Sequence, residues 1–352
     1  MKQHLLDQAP EEWEMENGPA YRRRVLSQWV FGKRATSFEQ MTSLPLPLRT
    51  ELAGRYQLRS LRLARRLQNG DGVQKLLWEL KGGEAVESVL IPAESDAASR
   101  RLTLCLSSQV GCAYRCVFCA SGLLGFRRNL SSGEIVEQLL QAEEIVGRRV
   151  DNLVFMGMGE PLANWEVLLR SLRLLTAPWG LAMSPRRITI STSGLVPEIR
   201  RLAEEPLAVG LAVSLHAASD ALRSRLMPVN RKHPLPLLLE ACDEYSRKKR
   251  QRITLEYILL AGINDSEDEA ARLSRIARRL RAKINLIPYN RVDSLPWNSP
   301  SPAQVDRFEN LLLESRCRVT VRRRKGEEIF AACGQLRLAA FPDSSPTIQA
   351  CR

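Results

Sequence analysis

Residues 111–122 read GCAYRCVFCASG, which sets Cys112, Cys116 and Cys119 in a CxxxCxxC arrangement directly after a short β-like run. Thiolates are good ligands for iron–sulfur clusters, and a 4Fe-4S cubane offers four irons to these three thiolates. One iron is left open. Such an iron can chelate the amino and carboxylate groups of S-adenosylmethionine (SAM) and pass an electron into its sulfonium, releasing a 5′-deoxyadenosyl radical. Phe118, just before the last cysteine, is the kind of residue that packs against this cofactor. The competing reading is a structural zinc site; those usually close with four ligands in two short-spaced pairs, and the sequence contains no second pair.

A second chemical signal is GMGEP. Gly157, Gly159 and Glu160 follow another β-like run, where glycine permits close backbone approach and a carboxylate can accept from the amino group of SAM. Taken alone, the motif also fits a simple turn. Of the eight cysteines, Cys105 lies near the cluster motif, while Cys242, Cys317, Cys333 and Cys351 are dispersed. In a chain of this size and setting the count argues for metal binding or chemistry rather than a disulfide scaffold.

The elements that must position these residues are legible as a series. β-like runs begin at 101, 152, 187, 208, 252 and 283, with helical patterns between them. One helix is expected at 133–147 behind a capping box from Ser131 to Glu134, and another at 266–281 opened by Asn264-Asp265. Six strand-plus-crossover units imply an α/β fold with a parallel sheet, short of the eight of a closed barrel: a partial (β/α)6 barrel whose active site sits at the strand C-terminal ends. Residues 1–88 read as a small N-terminal helical module ending in the β-like KLLWEL and AVESVLIP, separated by a KGGE turn. The polar segment at 93–100 reads as a linker. The expected division is 1–88, 89–316 for the barrel, and a C-terminal extension at 317–352, poorly ordered after about 338.

The chain has 352 residues, with 52 Lys plus Arg against 39 Asp plus Glu, a formal net charge of +13. That charge favours a polyanionic partner, nucleic acid above all, although a basic surface can also serve solubility alone. No apolar run approaches the roughly 20 residues of a membrane span, and the first residues are acidic where a secretory signal would be basic and then apolar. No membrane association and a cytoplasmic location are therefore expected.

CLSSQVGCAYRCVFCASGLLGFRRNL, GMGEPLAN, ITISTSG, VSLHA, INLIPYN and AACGQL together resemble the RlmN/Cfr family of radical SAM RNA-adenine methyltransferases, from about Tyr21 to Leu336. The resemblance implies one 4Fe-4S cluster on Cys112, Cys116 and Cys119, and a SAM pocket of Gly159, Glu160, Ser191, Ser214, Leu215, His216 and Asn290. It implies that Cys333, in AACGQL, carries the methyl group as S-methylcysteine, with two SAM consumed per turnover. The basic run RRRKGEE before it could lower a thiol pKa and pair with RNA phosphates. Cys105 would resolve the enzyme–RNA adduct by forming a disulfide with Cys333, and Glu87, in VESVLIP, would accept the ring proton; without the resemblance, a cysteine in an apolar strand is usually core and a lone strand glutamate usually exposed. The implied substrates are an adenosine of 23S rRNA and the adenosine beside the anticodon in tRNA, with an external electron donor. Arg22, Arg23 and Arg24 are placed either to touch phosphates or to form an ordinary charged helix face. FCASG leans toward the carbon-8 branch of this family, whereas GFRRNL, GMGEP and STSG look like the carbon-2 branch, which is the expected activity. A non-catalytic, metal-stabilised RNA-binding or ribosome-assembly protein is the alternative of another class.

Overall fold

The computed structural model describes residues 2–15, 21–93, 101–123, 125–292 and 294–322. Cys333, Cys351, residues 94–100 and the basic run beyond Arg322 lie outside the described residues. Strand β1 (Gln3–His4) pairs in parallel with β2 (Tyr56–Gln57), and between them lie helices α1 (Tyr21–Ser27) and α2 (Leu46–Arg55). α1 continues as a π-helical stretch over Gln28–Gly32. Leu48 and Leu52, one helical turn apart on α2, are both buried.

Helical structure ends there. β3 (Arg62–Gln68), β4 (Gln74–Glu79) and β5 (Ala85–Pro92) form an antiparallel meander, and β5 pairs antiparallel with β6 (Leu102–Cys105). The expected boundary at 88 thus falls inside β5. Backbone pairing runs unbroken from β3 to β6, so these strands extend the main sheet; the run RLARRLQ, not expected as a strand, is its edge at β3.

A hairpin of β7 (Gln109–Gly111) and β8 (Phe126–Asn129) brackets the cysteine loop and the single-turn α3 (Ala120–Leu123). The alternating series follows: α4 (Ser132–Val146), β9 (Asn152–Phe155), α5 (Trp165–Thr176), β10 (Ile188–Thr192), α6 (Val196–Glu204), β11 (Gly210–Ser214), α7 (Asp220–Leu226), α8 (Leu235–Lys249), β12 (Thr254–Leu259), α9 (Glu267–Leu280), β13 (Lys283–Pro288), α10 (Pro302–Glu314) and β14 (Arg318–Val321). In the ten-stranded sheet the order is β14-β13-β12-β11-β10-β9-β6-β5-β4-β3. All six expected barrel strands are present and parallel, and β14 adds a further parallel strand beside β13. The expected C-terminal segment therefore begins with a strand of the barrel sheet.

Ser131 Oγ accepts from the Glu134 N–H while Glu134 accepts from the Ser131 N–H, the capping box that starts α4. α9 differs from expectation. Its cap is Ser266, whose hydroxyl accepts from Glu269 N–H, while Asn264 is buried and braces the end of β12 through bonds to Leu260 N, Ile258 O and His216 O. Among the described residues no helix is long and apolar enough to cross a membrane.

The register separates two faces. Cross-strand partners share a face, so one row runs through Cys105, Val154, Thr189 and Gly210, and parallel rows through Ser191, Ala212 and Thr254 and through Ser214, Glu256, Asn285 and Thr320. This face is small and polar. The opposite face carries buried Leu104, Leu153, Ile188, Ile190, Leu211, Val213, Leu255 and Leu286, together with Tyr257 stacked on Phe308 of α10. Helices cover the apolar face, and the polar face is left for the site.

Candidate active site

The strand ends on the polar face open into a cavity of about 140 Å³. Cys112, Cys116 and Cys119 line it together with Phe118, Gly159, Glu160, Ser191, Ser214 and His216. Seven of the ten residues expected for cluster or SAM, with Glu160 among them, thus share one cavity with an eighth, His216; Leu215 and Asn290 are buried beside it but do not line it. Neither Cys105 nor Glu87 lines it either. Both nevertheless belong to its face of the sheet: Cys105 is the cross-strand partner of Val89, two residues from Glu87.

The cysteine loop is held from two sides. Val117 N–H donates to Leu226 O at the end of α7, and Val117 O accepts from the Trp297 indole at 2.8 Å. Burial pushes the Cys112 thiol up to about 12 and the Cys116 thiol well above its ordinary value, with neighbouring thiols adding to both. Iron bound here would have to displace those protons, which would couple cluster binding to loop structure. Among the described residues no three His, Cys, Asp or Glu side chains are arranged to hold one metal ion. A cubane does not ask for that, because each thiolate takes its own iron.

Gly159 has φ +97°, and a Cβ there would lie 2.5 Å from Gln109 Cβ, so only glycine turns the chain at this point. The turn aims Glu160 inward. Its carboxylate accepts from the backbone N–H groups of Leu162 (3.1 Å) and Ser193 (2.6 Å), and its backbone N–H donates to Gln109. Burial raises its pKa while those donors oppose the rise. His216 sits at φ +56° with Nδ1 accepting from Ile258 N–H, and its ring meets Phe118 edge-on at 4.8 Å. Burial, then the charge of Arg223, pushes its pKa down to about 3, so the ring is neutral.

Two residues the sequence did not flag complete the site. Glu256, fully inside β12, lines the cavity and accepts from Asn285 Nδ2 at 2.6 Å; burial raises its pKa. An acidic residue within the apolar run RITLEYILLA was the available signal. Arg223 on α7 is completely buried and donates to Leu215 O, Ser214 O, Ser193 O and Asn230 Oδ1. No pattern in the sequence distinguished it from the exposed arginines around it.

A model of the Radical SAM superfamily matches residues 106–274, the stretch that contains every residue lining this cavity except Ile287. The chain is 50% identical over 333 residues to the probable dual-specificity RNA methyltransferase RlmN 3 of Opitutus terrae, covering 91% of this chain and 89% of that protein. This chain belongs to the RlmN family of radical SAM RNA methyltransferases. It is also 46% identical to the dual-specificity RNA methyltransferase RlmN of Syntrophobacter fumaroxidans, over 93% of this chain and 94% of that one. The crystal structure of a radical SAM methyltransferase from Sphaerobacter thermophilus matches with a TM-score of 0.90 at 42% identity, over 95% of this chain and 99% of that one. RlmN-family membership brings an iron–sulfur cluster and SAM, and the cavity fits them. It offers three thiols on one loop and a carboxylate on a glycine turn, and beside it the buried Asn290 Oδ1 has no hydrogen-bond partner among the described residues.

Proposed function

We propose that this chain methylates carbon 2 of adenosine in RNA, acting in the cytoplasm on 23S rRNA and on the adenosine beside the tRNA anticodon. The reading is supported most by one observation: the three thiols share a cavity with Glu160, Ser191, Ser214 and His216, on the sheet face that also carries Cys105 and Glu87. The names of the relatives, dual-specificity RNA methyltransferases, agree with it.

Cys112, Cys116 and Cys119 would hold a 4Fe-4S cluster, and Glu160, Ser191, Ser214, Leu215, His216 and Asn290 would surround SAM, with Gly159 giving the backbone room. With an external electron donor, the bound pair supplies a hydrogen-abstracting radical, which an unreactive aromatic carbon requires because it is a poor nucleophile. The chain's own residues do the rest. Glu160, held by two backbone donors, receives the amino group of SAM. Neutral His216 and Phe118 wall the cavity without adding charge. Cys333 takes a methyl group by displacement and, as S-methylcysteine, presents it to adenine. Glu87 would accept the ring proton from the resulting adduct while the unpaired electron would return to the bound cluster. The Cys105 thiolate then attacks the Cys333 sulfur, the C–S electron pair leaves with the adenine-bound carbon, which takes a solvent proton to give methyladenine, and a disulfide is left for outside reductants to open. The basic N-terminal part would grip RNA by backbone and shape while the base is extruded into the barrel mouth.

Nucleoside mass spectrometry of RNA from cells lacking the gene, and of the same cells with it restored, tests the assignment. 2-Methyladenosine in rRNA and tRNA should vanish and return. 8-Methyladenosine instead would move the chemistry to the other ring carbon, and no change in either would count against the function.

A further inference from the structure

Glu87 is fully buried, and it forms an ion pair with a lysine that is also buried. Lys75 Nζ on β4 lies 2.8 Å from Glu87 Oε1 on β5, and the two side chains retain only 8% and 1% exposure. The register explains the meeting: Leu77 is opposite Glu87 and Lys75 opposite Val89, so the two residues are diagonal neighbours on one face. On the other side of β5, Cys105 stands opposite Val89, diagonal to Glu87. Lysine is among the residues least often buried unless paired, and here it stands within the strand triplet that carries the resolving cysteine and the proton acceptor.

We propose that Lys75 is a positioning residue for the reaction, fixing Glu87 in its ionised form and aiming it into the row that Cys105 occupies; this rests on the reading of Glu87 as the proton acceptor. A carboxyl group removed from water favours its neutral form, which cannot take up a proton, and an ammonium at ion-pair distance reverses that preference. When the ring proton moves to a Glu87 oxygen, the electrons of the C–H bond stay with the adenine ring. Among the described residues, the strand register also places the Cys105 thiol of β6 and, through the Arg65–Leu77–Glu87 row, exposed Arg65 of β3 on the face of Glu87. Neither replaces the contact that Lys75 makes.

The test compares holoenzyme carrying Lys75→Met, Lys75→Arg or Glu87→Gln with the parent, reading single-turnover RNA methylation across pH and the amount of covalent protein–RNA adduct. Lys75→Met should lose roughly tenfold or more of the rate at neutral pH, regain much of it in alkaline buffer, and accumulate adduct. Its acid limb moves to higher pH; Lys75→Arg, which keeps the charge, leaves the limb near its parent position. If Lys75→Met does not yield folded protein, Lys75→Gln, a neutral donor, carries the same comparison. A Lys75→Met or Lys75→Gln profile that superimposes on the parent, with no extra adduct, overturns the proposal while an inactive Glu87→Gln leaves the proton-acceptor reading standing. Full activity in Glu87→Gln overturns both.

Discussion

At His216 a single side chain links the fold to the site. The imidazole accepts from the backbone of β12, touches Phe118 beside the cluster cysteines, and sits in a left-handed backbone conformation that a residue other than glycine rarely adopts. Its folded-state pKa of about 3 lies below the ordinary 6.5, so between those values the unfolded chain binds more protons than the folded one. The stability it contributes is present above the unfolded value and is lost as pH falls, by about 1.4 kcal/mol for each unit below it until the folded value is reached. Melting temperature should therefore drop between neutral and mildly acidic pH, and a His216→Asn variant should show a shallower drop. An identical slope in the two proteins would mean that His216 is not held neutral. VSLHA was legible through the family resemblance; the direction of its imidazole was not, since that depends on β12, some forty residues further along the chain.

At the scale of elements, α7 staples the barrel mouth. Its Arg223 reaches the carbonyls that end β10 and β11, Ser193, Ser214 and Leu215, while the last residue of the same helix receives the N–H of Val117 from the cysteine loop. One short helix thus sets the spacing between the ends of β10 and β11 and the cysteine loop. Replacing Arg223 with methionine leaves these carbonyls and Asn230 Oδ1 without their donor, at a cost of about 3–5 kcal/mol. Arg223→Lys should rescue little, because an ammonium cannot span the planar fan of acceptors. Thermal melts and iron content after reconstitution check this: both should fall in Arg223→Met, and parent-like values would show that the staple is dispensable. The six barrel strands could be read from the sequence because buried parallel strands are apolar runs between amphipathic helices. β3 escaped because the arginines of RLARRLQ mask the alternation on an edge strand, and β14 because four residues carry too little pattern. Asn264 looked like a helix cap for a sound local reason, yet tertiary contacts to β12 and His216 claimed its side chain and left the cap to Ser266.

Over the whole molecule, charge is sorted. The acidic residues of α4 bind the N-terminal part: Glu137 receives the His4 ring and the N–H groups of Ser60 and Leu61, Glu143 pairs with Arg34, and Glu144 with Arg59. This joins the N-terminal part to the barrel through polar contacts that are buried at Glu137 and Glu143 and exposed at Glu144, which residue order alone did not reveal. The net charge of +13 that remains suits a polyanion. The proposed methyl carrier, Cys333, lies outside the described residues. The measurement that tests the carrier route most directly uses reconstituted protein, RNA, an electron source and SAM bearing a trideuterated methyl group, followed by nucleoside mass spectrometry. A methyl group parked on Cys333 loses one deuteron to hydrogen abstraction and gains a solvent proton on release, so the account predicts 2-methyladenosine with two deuterons in the new methyl group. Product that retains all three deuterons would mean the methyl group passed to adenine intact, and would contradict it.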